Sequence, residues 1–269
     1  MVRIINCDSV SLVKDGKIVL DNLTFSVEKG SFVSIVGNNG SGKSSLINVL
    51  AGIQSYNGYI NINGYSLEKN NMNEIRKSIS VVLSNMDNLF IQETVLDELI
   101  FSLKNIGKDE KFMKNQLDQI INIFGLKNIL NKSPFELNNS QRQMLIIACA
   151  LISSPDVLIM DECMHQLSVK DKRLVLDILN SYRKKRKITI IMSVNDIEDV
   201  VYSDRIIVLD NGRIIMDGSN VSVLKNQDKM LELGIGLPFV MNLSLKLMKR
   251  GIVSHVYLDM RKMVDDIWK

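Results

Sequence analysis

Along roughly the first thirty residues, apolar and polar positions alternate in short runs rich in β-branched side chains. Residues 2–7, 10–13 and 17–27 read as strands, broken by turn signals at Asp15-Gly16 and Lys29-Gly30. The run FVSIV at 32–36 reads as a short buried strand and leads straight into GNNGSGKSS. A helical stretch follows at 44–51, and two more short strands are expected at 59–63 and 79–83. From about Gln92 to Ile152 the period changes. Val95, Leu99 and Leu103 share one face of a helix over 94–103, and Leu117, Ile120, Ile121 and Phe124 one face over 112–124. Pro134 interrupts, and another helix runs from about Asn139 to Ser153. Strands at 157–160, 189–193, 205–209 and 213–216 then alternate with a helix from Ser168 and a short one at 197–202. The tail from about Val221 is mostly helical and is divided by Pro238. Strands alternating with helices predict an α/β core with a mostly parallel sheet, and the helical block reads as an insertion into it. There is no internal repeat and no low-complexity linker.

Composition changes this picture little. The 269 residues are 46% hydrophobic and 23% charged, ordinary for a folded protein with a large core. A net charge of +3 is too mild to argue for nucleic acid. The one basic run, RKKRK at 183–187, ends a helical pattern. It reads as a solvated helix terminus, with an anionic lipid or nucleic-acid contact as the other reading. Cys7, Cys149 and Cys163 are odd in number and far apart, without metal or redox spacing, which points to a reducing interior. The start MVRIINCDSV lacks the apolar stretch of a signal peptide. The longest apolar run, Met144 to Ile152, is well short of the ~18 residues needed to span a bilayer, so a membrane role requires a partner.

Candidate chemistry lies first in Gly37, Asn38, Asn39, Gly40, Ser41, Gly42, Lys43 and Ser44, with Ser45 next in line. They fit the phosphate-loop pattern G-x-x-x-x-G-K-[ST] between a strand and a helix. Glycines let backbone N–H groups face phosphates, and the helix adds its positive end. Lys43 reaches the β/γ-phosphates and the Ser44 hydroxyl can ligate Mg²⁺. The run VLIMDE at 157–162 is its natural partner. Asp161 ends a buried strand, where it would hold Mg²⁺ through water, and Glu162 would orient or deprotonate an attacking water. A strand ending in two acids says little alone; beside a phosphate loop it says much.

In this order of motifs the chain resembles an ATP-binding cassette (ABC) protein. A signature segment LNNSQ at 137–141 and a switch strand ending in Asn195-Asp196 extend the likeness over nearly the whole length. NMDNLF at 85–90 is similar to the NPDNQF segment of energy-coupling factor (ECF) transporter ATPases. The tail ELGIGLPFVMNLSLKLMKRGI at 232–252 resembles that family's C-terminal segment. The resemblance implies a P-loop NTPase (ABC) core with a mostly parallel sheet, an N-terminal antiparallel β subdomain, a helical insert and a small C-terminal helical extension. It assigns 1–84 with 153–220 to the RecA-like core and its β subdomain, 85–152 to the helical subdomain, and 221–269 to the extension. It implies ATP and Mg²⁺ as ligands, held in part by Asn138, Ser140 and Gln141 of a facing signature. It implies a second ATPase, a transmembrane coupling protein and a substrate-binding membrane protein as partners, no nucleic acid, and a place at the cytoplasmic face of a membrane.

Residue by residue, the chain departs from that pattern. Ser84 stands where the family has a glutamine. Asn138, Asn139 and Ser140 replace the serine and two glycines of LSGGQ, and Ser168 replaces the aspartate of the D-loop. Asn195 occupies the position of the switch histidine, and neither Val13 nor Lys14 is the adenine-stacking aromatic. Asparagine tolerates positive φ better than most residues, so Asn138-Asn139 could rebuild a glycine loop. Asn195 can donate a neutral hydrogen bond but not a charged one. A pair of identical copies would carry two weakened sites, which favours a heterodimer, and the family's two-ATPase systems favour a vitamin over a metal ion. Two readings stay open: an ATPase driving an importer, or an impaired nucleotide-binding half whose partner does most of the hydrolysis. A soluble cassette for DNA or ribosome work is disfavoured, since the chain has neither a long coiled-coil insert nor a second cassette.

Overall fold

The computed structural model describes residues 2–84, 90–104 and 109–268. The segment 85–89, which carries most of the NMDNLF likeness, lies outside the described residues. Two long strands open the chain, β1 (Arg3–Lys14) and β2 (Lys17–Glu28), joined at Asp15-Gly16. Both turn residues have positive φ, as a tight hairpin turn requires. The break expected between residues 7 and 10 is instead a bulge. Ser9 sits at φ 54 beside a register shift, so one strand bends without ending. With β4 (Asn57–Ile62) and β5 (Tyr65–Ser66) these strands make an antiparallel sheet ordered β2-β1-β4-β5.

The second sheet is built from β3 (Phe32–Val36), β6 (Ile79–Val82), β7 (Val157–Asp161), β8 (Thr189–Ser193), β9 (Arg205–Asp210) and β10 (Arg213–Ser219). Its order is β10-β9-β3-β8-β7-β6, parallel throughout except for the β9–β10 pair. Between β3 and β7 come α1 (Lys43–Leu50), α2 (Met72–Ser78), α3 (Val95–Lys104), α4 (Glu110–Phe124) and α5 (Asn139–Ile152). After β7 come α6 (Val169–Arg186), then α7 (Asn220–Lys225), α8 (Gln227–Glu232), α9 (Phe239–Met248) and α10 (Met260–Ile267). The mostly parallel sheet, the antiparallel N-terminal sheet, the helical block and the helical tail all match expectation.

Both faces of the parallel sheet are buried, which is why its strands read as unbroken apolar runs. Phe32, Leu158, Met160, Ile190 and Met192 pack with Leu99, Ile120, Ile147 and Leu179 of the helices. Val33, Ile35, Ile159, Ile191 and Ile207 pack on the other side with Leu46, Ile47 and Leu50 of α1 and with the antiparallel sheet. Each such side chain contributes about 1.5–3 kcal/mol when fully buried. The tail has a small cluster of its own around Val253, Tyr257 and Met263.

The basic run at the end of α6 is not simply solvated. Arg186 donates to Gln116 and Gln119 of α4 and to Ser154, and lies 5.1 Å from the Tyr182 ring. Arg183 pairs with Asp204 just before β9. Only Lys184, Lys185 and Lys187 are exposed, so the run pins three elements together as well as capping a helix.

One turn joins the two sheets to the loop that follows β3. Asn211 and Gly212 connect β9 to β10 with φ of 47° and 75°. The Gly212 N–H donates to the Ser41 carbonyl at 3.0 Å, and the Asp21 N–H donates to the Gly212 carbonyl at 2.9 Å. A Cβ at this position would lie 2.4 Å from the Val19 carbonyl oxygen. Gly212→Ala should therefore cost on the order of 2–4 kcal/mol through left-handed strain and overpacking. Calorimetry should show a fall in Tm of roughly 5–10 °C.

Candidate active site

The parallel strands end on one edge, and the chemistry collects there. After β3 the chain curls through Gly37 to Gly42 into α1. Gly42, the N-cap, sits at φ 105, and a Cβ there would meet the Leu20 side chain at 2.9 Å. Lys43, Ser44 and Ser45 form the first turn of α1, whose N–H groups have no partner within the helix. They face a cleft of about 320 Å³ lined also by Val19, Asn39, Gly40 and Glu162. The Lys43 side chain is only 4% exposed, and its ammonium is held by the protein. It donates to the Gly37 carbonyl at 2.9 Å and the Asn38 carbonyl at 3.3 Å, and lies 3.5 Å from Glu162 Oε1.

Asp161 ends β7 and is 3% exposed. Its Oδ1 accepts from Ser44 Oγ at 3.1 Å and from Ser193 Oγ at 2.5 Å. Glu162 follows in the left-handed region, at φ 47. Its N–H donates to Ser193 Oγ at 2.9 Å and to the Ser193 carbonyl at 3.3 Å, while a His165 ring nitrogen meets the Glu162 carbonyl. Asn195 lies just past β8 and shares an open recess with Gly37, Asn38 and Asn39. The expected loop, carboxylates and switch residue are thus brought together.

These residues fit the groups that the motif implies. The Ser41 hydroxyl is buried with no hydrogen-bond partner, and Gly40 opens onto empty space, so the loop has a free donor and room for an anion. Ser44 and Asp161 supply one hydroxyl and one carboxylate, the hard oxygen donors that suit Mg²⁺ alongside substrate phosphates. No cluster of three or more metal-ligating side chains exists among the described residues.

Two residues at this site were not singled out from the sequence. Val19 gives the cleft an aliphatic wall, and nothing in an ordinary alternating strand marks it. Ser193 did carry a signal, a hydroxyl ending the otherwise apolar run IIMS of a buried strand. Asn38 has a second attachment. Its side-chain Nδ2 donates to the Leu233 carbonyl of the tail at 2.6 Å, and Phe239 N–H donates to Glu198 Oε1 at 2.6 Å beyond the switch. The tail therefore lies directly against the loop.

The signature segment is built differently from the expectation of a rebuilt glycine loop. Asn138 has φ −71° and ψ 166°, and Asn139 and Ser140 are helical; none has a positive φ. Asn138 is the N-cap of α5. Its Oδ1 accepts from Gln141 N–H at 2.9 Å, and Gln141 Oε1 accepts from Asn138 N–H at 3.2 Å. This is a capping box, which asparagine completes as well as serine does. Ser140 Oγ donates to Asp171 Oδ2 at 2.5 Å and accepts from Ser168 N–H at 3.0 Å, while Ser168 N-caps α6. So Ser140 and Ser168 weld the signature to the start of α6. Among the described residues the hydrogen bonds of Ser140 and Asn138 run to α6 and within α5, and the clefts around the phosphate loop are lined by no signature residue.

Beside Asn195, Lys172 of α6 bridges Asp196 and Asp199, each at 2.8 Å. Burial pushes the Asp199 carboxyl up to about 6, against the pull of Lys172. Burial also pushes Asp196 up, but the Lys172 bond and the Glu198 N–H hold it below the usual carboxylate range. Burial holds the Cys7 and Cys149 thiols up at about 12 and raises Cys163 too, so none serves as a thiolate.

Asn138→Ala should lose about 1 kcal/mol of stability through the cap alone, read as a lower denaturation midpoint with an unchanged slope. Asp199 binds its proton more tightly in the folded chain than the 3.8 of an ordinary aspartate. Its contribution is therefore greatest at low pH and is lost as pH rises from about 4 through 6. Melting curves of Asp199→Asn should show a flatter dependence of Tm on pH across that window than the parent chain.

Residues 20–165 match the family model described as ABC transporter. The energy-coupling factor transporter ATP-binding protein EcfA1 of Ligilactobacillus salivarius is 30% identical, over 98% of this chain and 95% of that protein. The ATP-binding protein EcfA of Pediococcus pentosaceus is 35% identical, over 91% of this chain and 88% of its own length. Among solved structures, cbiO1 from Clostridium perfringens, part of the ABC transporter complex cbiONQ, superposes with a TM-score of 0.75 at 25% identity. It covers 86% of this chain and 94% of its own. A match running nearly end to end, on a fold whose strand ends bring Lys43, Asp161 and Glu162 together, settles the family: this chain belongs to the ATP-binding cassette ATPases, in the energy-coupling factor transporter branch.

Proposed function

We propose that this chain binds and hydrolyses ATP as one half of an unequal cassette pair that drives uptake of a vitamin or other micronutrient. The observation that carries the reading is the approach of the buried Lys43 ammonium to the Glu162 carboxylate, 3.5 Å apart across the cleft. It places a group able to grip phosphate and a group able to work on water in one cleft. The loop residues Gly37 to Ser45 receive the phosphates through backbone N–H groups and the Lys43 charge. Ser44 and Asp161 would hold Mg²⁺, whose charge would offset that of the phosphate oxygens. Glu162 orients the attacking water and takes its proton, and Asn195 donates a neutral hydrogen bond toward the terminal phosphate.

The signature residues Asn138, Ser140 and Gln141 serve the partner's nucleotide. In this reading 1–84 and 153–220 form the nucleotide-binding core, 85–152 the helical subdomain and 221–269 the extension. The partners are a second, non-identical ATPase, a transmembrane coupling protein and a substrate-binding membrane protein, met at the cytoplasmic face. Among the described residues no helix is long and apolar enough to cross a membrane, in keeping with a peripheral subunit. Asn195 favours a second reading, in which this chain holds nucleotide while its partner does most of the chemistry.

ATP binding and turnover of the chain, alone and mixed with a second ECF-type cassette ATPase, separate the two. Glu162→Gln should leave ATP binding intact and cut turnover in the mixture about 100-fold if this site carries the flux. Unchanged turnover with ATP still bound would establish the nucleotide-holding role instead.

A further inference from the structure

We propose that Ser193 is a positioning residue for the reaction, aiming the Asp161 carboxylate and the Glu162 backbone together from the end of β8. The inference rests on the reading of Asp161 as the Mg²⁺ carboxylate. A hydroxyl has one proton and two lone pairs, and here the proton and one lone pair are both committed. Ser193 Oγ donates to Asp161 Oδ1 at 2.5 Å and accepts the Glu162 N–H at 2.9 Å. The side chain is 1% exposed, so water cannot replace either bond.

The neighbouring backbone explains why the second bond matters. Glu162 lies at φ 47, a conformation that a glutamate keeps only where its surroundings over-determine it. Ser193 supplies that constraint twice, through Oγ and through its own carbonyl at 3.3 Å, from the position paired with Asp161 across β7 and β8. The left-handed turn is what sends the chain out of β7 with the Glu162 carboxylate toward Lys43. An apolar side chain at 193 would pack equally well in this buried strand. It would leave Asp161 Oδ1 with the Ser44 hydroxyl alone and the Glu162 N–H with its longer contact.

The test is Mg²⁺ linkage of ATP binding, which does not depend on turnover. A fluorescent ATP analogue is titrated into the full-length chain with and without Mg²⁺, for the parent, Ser193→Ala, Ser193→Thr and Asp161→Asn. Ser193→Ala should bind nucleotide without Mg²⁺ within about twofold of the parent and lose about tenfold of the tightening that Mg²⁺ provides, as outer-shell partners of metal ligands do. Ser193→Thr, which keeps the hydroxyl, should restore most of it. A loss with Asp161→Asn but none with Ser193→Ala overturns the proposal alone. So does a Ser193→Ala defect that threonine fails to restore, or one that weakens Mg²⁺-free binding equally. No effect from Asp161→Asn sinks the metal role of Asp161, and the proposal with it.

Discussion

A buried ammonium needs partners, and most of the catalytic edge is arranged around the one on Lys43. At 4% exposure it has little water, so two carbonyls of its own loop and a carboxylate from another strand must take its place. The carbonyls reach it only because the loop curls back on itself, with Gly42 in the left-handed region against Val19 and Leu20. The carboxylate reaches it only because Glu162 leaves β7 in a strained turn. The Asn211-Gly212 turn then ties the loop at Ser41 to both sheets.

The departures from the family pattern divide by physics rather than by position. At the signature, Asn138 stands where the family pattern has a serine, and it forms a capping box with Gln141. Asn139 and Ser140 are helical, with no positive φ, a backbone that needs no glycine. Ser140 adds bonds that no glycine could make, to Asp171 and Ser168, and Ser168 in turn caps the helix whose start lost the usual aspartate. Those losses are structurally absorbed. Asn195 is different: an amide cannot carry the positive charge of an imidazolium, and no packing restores it.

The tail belongs to the same mechanical unit. It closes on the loop through Asn38 and on the segment after β8 through Glu198, so these two segments share a neighbour. Lys172 anchors the switch from the other side through Asp196 and Asp199. The Asn38 side chain is held by the tail, while the sequence reading concerns the backbone N–H groups of its loop.

Sequence alone determined the order and type of the main elements, because period-2 and period-3.6 burial leave their mark on which positions are apolar. It also singled out the loop from Gly37 to Ser45, Asp161 and Glu162, because the two motifs occur together, and the fold brings them to one sheet edge. It missed the continuity of β1, since a bulge at Ser9 looks like a break when only the pattern is read. It read RKKRK as solvated, since partners such as Gln116 and Asp204 are distant in sequence. Only the tertiary structure decided that Ser193 bonds Asp161 and Glu162, that Val19 walls the cleft and that the tail grips Asn38. Each depends on segments far apart in the chain meeting at one sheet edge, and a hydrogen bond between them is a property of that meeting, not of either segment.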